Sequence, residues 1–167
     1  MDLQILLWLQ QVRTPIGNTF FLNVSNLVWW IAVGSLVLCG CKKTRKVGLY
    51  IFFSILVCWI INGLGLKSLF MRQRPFVASD LLQRVGPAPA GSSFPSSHTT
   101  IAFAVAWMLL WMKKKPWIVP SFGLAFLIGF SRMYLGVHYP SDVLAGILIS
   151  GVCSYFVFKS MQRISKD

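Results

Sequence analysis

The sequence predicts an all-α fold: a polytopic membrane helical bundle of five spanning helices plus a short N-terminal interfacial helix, or six short helices if that segment also crosses. Three observations carry the prediction. Of the 167 residues, 56% are hydrophobic. These residues are gathered into long blocks with few charges, and a run of about 20 apolar residues suffices to cross the hydrocarbon core of a bilayer. The net charge of +12 falls mainly between the blocks.

The first segment, MDLQILLWLQQVRTP over residues 1–15, has too few apolar residues to span. Leu3, Leu6, Leu7 and Leu9 with Trp8 fit an amphipathic helix in the interface, stopped at Arg13, Thr14 and Pro15. Asp2 in place of a basic leader, with no small-residue cleavage pattern, argues against a signal peptide. The expected spans follow at residues 20–40, 48–66, 99–112, 117–130 and 143–158. The third and fourth are short, and each extends into the polar segment beside it if protein shields that segment from lipid. The whole of 1–167 is read as one integral membrane domain, with external loops at 67–98 and 131–142. Cys39, Cys41, Cys58 and Cys153 lie in or at the ends of apolar blocks, show no CxxC spacing, and read as small packing residues.

Basic clusters set the orientation. Lys42, Lys43, Arg45 and Lys46 form one; Lys113, Lys114 and Lys115 a second; Lys159, Arg163 and Lys166 a third. Five spans put all three on one side, which the positive-inside rule makes cytoplasmic. Charges that punctuate hydrophobic segments do not form the stripe of a nucleic-acid-binding domain, so no nucleic-acid partner is expected. Arg13, Lys67, Arg72, Arg74, Arg84 and Arg132 then collect at the opposite side with His98, His138, Asp80 and Asp142. Basic residues there are not needed for topology and ask for an anionic ligand.

Three polar segments meet at that side. In KSLFMRQRP, residues 67–75, a continuing helix would project Lys67 and Arg74 from one face as a two-pronged cationic site for phosphate oxygens. Arg72 would point away and snorkel, and Pro75 would end the run. In GSSFPSSHTT, residues 91–100, Pro95, Ser96 and Ser97 mark a helix start, whose free N–H groups suit an anion, and His98 falls in the first turn. In SRMYLGVHYPSD, residues 131–142, Pro140 and Ser141 start the last helix, so Asp142 reaches back towards His138. Two histidines, a carboxylate, several cations and a helix N-terminus supply the parts of phosphoryl transfer through a covalent phosphohistidine. One histidine, oriented by the carboxylate, attacks phosphorus, and the other protonates the leaving oxygen. The same cations would repel a divalent metal.

These residues resemble the type-2 phosphatidic acid phosphatase superfamily of membrane lipid phosphatases, related to vanadium haloperoxidases and bacterial acid phosphatases. The signature of that family is Lys, six residues, Arg-Pro; Pro-Ser-Gly-His; and Ser-Arg, five residues, His, three residues, Asp. Here the matching positions are Lys67 with Arg74-Pro75, Pro95-Ser96-Ser97-His98, and Ser131-Arg132 with His138 and Asp142. The resemblance implies that His138 is the nucleophile, Asp142 its orienting partner, and His98 the general acid. Lys67, Arg74, Ser96 and Arg132, with the amides of Ser97 and His98, would hold the phosphate. It implies no metal or other cofactor. Ser97 stands where the family has glycine, which matters if that position needs positive φ.

A site at the bilayer edge favours a lipid phosphate or diphosphate as substrate, with membrane lipids around it. The resemblance extends to bacterial members acting on undecaprenyl diphosphate, favoured here, or on phosphatidylglycerol phosphate, phosphatidic acid or lipid A phosphates. It implies a multi-pass protein of the bacterial cytoplasmic (inner) membrane with the site on the external or periplasmic side. Competing expectations are a non-catalytic lipid-binding or transport membrane protein and a phosphatase for soluble phosphate esters.

Overall fold

The structure is a computed structural model that describes residues 1–164; Lys166 of the third basic cluster and the end of the 1–167 domain lie outside the described residues. The described chain is helical, without strands. Helix α1 covers Asp2–Gln11. The Arg13–Pro15 stop is also a start: Thr14 Oγ1 accepts the Gly17 N–H at 3.0 Å and Pro15 opens α2, Pro15–Gly40. Helix α3, Arg45–Ile60, widens into a π-helical stretch, Ile61–Leu66, and continues as α4, Lys67–Phe70. After α5, Pro75–Ala78, and a long irregular segment come α6, Ser97–Trp111, α7, Lys115–Tyr134, and α8, Pro140–Ile164.

Helices α2, α7, α8 and the run that starts with α3 are long and apolar enough to cross a membrane, whereas α6, with 15 residues, is shorter than that standard. At 1.5 Å per residue α6 is roughly 22 Å long. Its length is tolerated because α6 is the centre of the bundle, packed on α3, α7 and α8, with Phe103 and Met108 fully buried.

Small residues bring the helices together, as expected where lipid is as apolar as the core. A Cβ on Gly48 would lie 2.5 Å from the Cys39 backbone nitrogen, so α2 and α3 touch only because that side chain is absent. Gly146 does the same for α8, where a Cβ would meet Thr100 Oγ1 at 3.0 Å and the Ser96 carbonyl at 3.1 Å. Ser54 and Ser154 share a buried 2.7 Å hydrogen bond between α3 and α8.

The first helix is amphipathic, as expected, but it rests on protein. Leu6 and Leu9 are buried with Leu82 and Tyr139, while Ile5 and Trp8 are exposed on the other face. The Gln10 side chain holds the irregular segment, donating to Leu81 O at 3.1 Å and accepting from Gln83 N at 2.7 Å.

The expectation of one helix through Lys67 and Arg74 fails. The helix ends at Phe70 because Met71 turns left-handed, φ 40° and ψ 33°, a conformation costing a non-glycine residue about 1–2 kcal/mol. Nor does Pro75 end the run: it is the first residue of α5, where its missing N–H loses no hydrogen bond. The basic turns lie at the far end of the bundle, where Lys42, Arg45 and Lys46 line one groove with Ile164, and Lys43 and Lys114 line another.

Candidate active site

The turn between α7 and α8 carries His138, and the first turn of α8 carries Asp142, four residues on. Asp142 is fully buried and its carboxylate is saturated. Oδ2 accepts from Tyr139 N at 2.9 Å and from Ser93 Oγ at 2.5 Å, and lies 3.5 Å from His138 Nδ1. Oδ1 accepts from Arg72 Nη1 at 2.7 Å. The expected reach of Asp142 to His138 is therefore present, but long. Ser93 Oγ, itself 3.5 Å from His138 Nδ1, sits beside both.

Arg72 does not point away to snorkel. The left-handed Met71 turns it inward, where it also donates to Ser141 Oγ at 2.8 Å and to Asp2 Oδ2 at 3.2 Å, and stacks 4.0 Å over the Tyr139 ring. Ser141 Oγ in turn donates to Asp2. The N-terminus of α1 is thus tied to the carboxylate that faces His138.

Arg74 is buried and its fork is fully used. Nε donates to Gly91 O at 3.0 Å, Nη2 to Ala90 O at 3.0 Å and Ser92 O at 3.4 Å, and Nη1 to Val137 O at 3.0 Å. Nη1 also faces His138 Nε2 at 3.3 Å. A guanidinium has no lone pair to offer, so Nε2 is the acceptor and the proton of a neutral imidazole sits on Nδ1, towards Asp142. Complete burial, the largest influence, lowers the His138 pKa to about 3; the Asp142 bond opposes it and Arg132 and Arg74 reinforce it. The ring is uncharged at neutral pH. Lys67 Nζ donates to Ser92 O at 2.7 Å, so Lys67 and Arg74 converge on one carbonyl although no single helix carries them both.

A second group lies towards α2. Arg132, in the last turn of α7, is buried and donates Nη1 to Ser25 Oγ, while its Nε has no partner. Arg132, His98, Ser25, Asn26 and Val137 line a cavity of ≈ 200 Å³. The His98 ring meets the Trp29 ring edge-on, with centroids 6.0 Å apart. A larger cavity of ≈ 740 Å³ is lined by Lys67, Arg72, Arg74 and Ser92, and Ala88 and Pro89 border both.

Ser96 is the N-cap of α6 but makes no side-chain cap bond. It is fully buried, its N–H donates to Asp142 O at 3.2 Å, and its hydroxyl accepts from Thr99 Oγ1 at 2.9 Å. Ser97 opens the helix without positive φ, the non-glycine residues with that conformation being Met71 and Lys113. A serine at this position therefore needs no unusual backbone.

The structure thus gathers Lys67, Arg74, His138 and Asp142 into one hydrogen-bonded network and sets His98 and Arg132 together on its α2 side. Sequence reasoning missed Arg72, Ser93, Ser25 and Trp29. Ser93 belonged to the polar stretch before the helix start, and only its excess of serines over one cap signalled it; Ser25 and Trp29 lie inside an apolar block.

A sequence model of the PAP2 superfamily matches residues 47–166. The bacitracin transport permease protein BcrC of Bacillus licheniformis is 31% identical over 151 residues, 87% of this chain and 68% of that protein. The undecaprenyl-diphosphatase BcrC of Bacillus subtilis is 36% identical over 121 residues, 72% of this chain and 61% of that protein. Among solved structures, Aquifex aeolicus LpxE superposes with a TM-score of 0.82 at 28% identity, covering 95% of this chain and 94% of that one.

Proposed function

This chain belongs to the PAP2 superfamily and is a multi-pass membrane lipid phosphatase, and we propose that it works through a phosphohistidine on His138, with undecaprenyl diphosphate as its favoured substrate. The observation that carries the mechanism is the orientation of His138. Its Nδ1–H faces the Asp142 carboxylate, and its Nε2 lone pair faces the Arg74 guanidinium, which itself lines the cationic cavity. The donors of Lys67 and Arg74 now rest on the carbonyls of Ala90, Gly91 and Ser92, and phosphate oxygens are acceptors of the same kind with more charge.

In this reading Lys67, Arg74 and Arg132 hold the phosphoryl oxygens, with Ser96 and the N–H groups of Ser97 and His98 at the α6 N-terminus. His138 Nε2 forms a bond to phosphorus as the bond to the leaving oxygen breaks. His98 gives that oxygen a proton, then takes one from the water that cleaves the P–N bond and frees phosphate. Asp142 keeps the ring oriented and stabilises the charge it gains, and Arg72, Ser93 and Tyr139 N–H hold Asp142 in place. No step calls for a metal.

The 36% identity to an undecaprenyl-diphosphatase favours that substrate, and a site between lipid-exposed helices and water suits a head group whose tail stays in the bilayer. Phosphatidylglycerol phosphate, phosphatidic acid and lipid A phosphates share the phosphate chemistry. The basic clusters favour an inner-membrane orientation with the site on the external or periplasmic side. A transport role is the second reading, favoured by the name of the Bacillus licheniformis relative.

The test is phosphate release in detergent with EDTA, from a panel of lipid phosphates and diphosphates and from soluble esters. The expected result is vanadate-sensitive release, highest with undecaprenyl diphosphate and abolished in His138→Ala. Release from none of the panel would leave the transport or binding reading, and a preference for soluble esters would remove the lipid substrate.

A further inference from the structure

Arg132 is held in an unusual way for a buried cation. Among the described residues its partner is a neutral hydroxyl, Ser25 Oγ, and the ion pairs formed by carboxylates involve Arg72 and His138 instead. The guanidinium is therefore fixed without being neutralised. Its Nε has no protein partner, and Arg132 and Ser25 are only 7% and 2% exposed. Arg132 borders the cavity that also holds His98.

Four residues along the same face of α2, Trp29 sets its ring edge against His98 at 78°. One face of α2 thus meets both Arg132 and His98, the two groups on this side of the site. Helix α2 lies wholly before the residues matched by the superfamily model, 47–166, so neither contact belongs to the matched region.

We propose that Ser25 and Trp29 are positioning residues for the phosphoryl-transfer site, Ser25 aiming the uncompensated Arg132 guanidinium at the anion and Trp29 restricting the His98 ring. The proposal rests on the phosphatase reading above. A neutral anchor is essential to it: a carboxylate at position 25 would bind Arg132 at least as firmly but cancel the charge that the anion requires. A purely structural bond would be preserved by that change, and a positioning bond would not.

The experiment uses the full chain in detergent, with Ser25→Ala, Ser25→Thr, Ser25→Asp and Trp29→Leu. Orthovanadate binding is measured by calorimetry, and phosphate release from a lipid phosphate gives kcat, KM and the pH profile. Ser25→Ala is expected to lower kcat about ten- to a hundred-fold, as small misplacements in active sites do, with KM changed much less. Ser25→Thr should restore most of that loss. Ser25→Asp should bind vanadate more weakly than Ser25→Ala while unfolding at an equal or higher temperature. Trp29→Leu should shift the basic limb of the kcat profile.

Wild-type vanadate affinity in Ser25→Asp, or wild-type kcat and pH profile in both Ser25→Ala and Trp29→Leu, would overturn the proposal. Should Ser25→Ala fail to fold, the contrast of Ser25→Thr with Ser25→Asp decides it. A wild-type chain that neither binds vanadate nor releases phosphate would remove the phosphatase reading and this proposal with it, whereas an active wild type with indifferent variants removes this proposal alone.

Discussion

Ser97 and His138 show how single residues set the chemistry. Ser97 begins α6 with an ordinary backbone, so the serine that replaces the family glycine supplies the same N–H without strain. Ser97→Gly should leave turnover within about two-fold and lower stability by less than about 1 kcal/mol, measured as kcat and thermal unfolding in detergent. His138 carries a pH signature. Burial lowers its pKa from 6.5 to about 3, so between those values the unfolded chain binds a proton that the folded chain refuses. Folding stability is then unaffected by this group above about pH 6.5 and falls as the pH drops below it. On moving from pH 7 to pH 4.5, wild type should lose more melting temperature than His138→Gln, which has no such proton to bind; equal losses would show that the ring is not held uncharged. The approach of Asp142 to His138 was legible because the two lie four residues apart at the start of one helix. Arg72 was not, because its link to Asp142 crosses seventy residues and depends on the left-handed Met71, a conformation that methionine rarely adopts.

At the scale of elements, the site depends on how closely α8 approaches the start of α6. Gly146 permits that approach, since any side chain there meets Thr100, Ser96 and Thr99 within 3.2 Å. Gly146→Leu should displace the α6 N-terminus and His98 with it, lowering kcat by more than about a hundred-fold and stability by about 1–3 kcal/mol. Gly34→Leu, where a Cβ meets nothing within 4 Å, serves as the control and should keep wild-type turnover. The apolar blocks announced the helices well: four of the five lie within longer helical runs, that at 48–66 only through the π-helical stretch and α4, and the block at 99–112 matches α6 to within one residue at its end. Helix α6 was legible as apolar but not as central, for its periodicity cannot reveal that protein surrounds it on several sides. Helix projection misled at 67–75 because it assumes continuity, and the chain reaches the same convergence of Lys67 and Arg74 through a broken helix and the Ser92 carbonyl.

At the scale of the whole molecule, the bundle separates two kinds of charge. Lysines and arginines of the short turns sit at one end, and the hydrogen-bonded cations of the site sit at the other with both histidines. The sequence showed this division through the alternation of basic turns and motif-bearing segments, but not the tie from α1 through Asp2 and Arg72 to Asp142, which only the folded chain forms. The central claim is that the phosphoryl group passes through His138. Rapid mixing of the full chain with a ³²P-labelled lipid phosphate in EDTA, quenched in alkali and mapped by peptide, tests it most directly. The account predicts a transient base-stable, acid-labile phosphopeptide containing His138 that disappears as phosphate is released. Turnover without any such intermediate, or label on another residue, would contradict it.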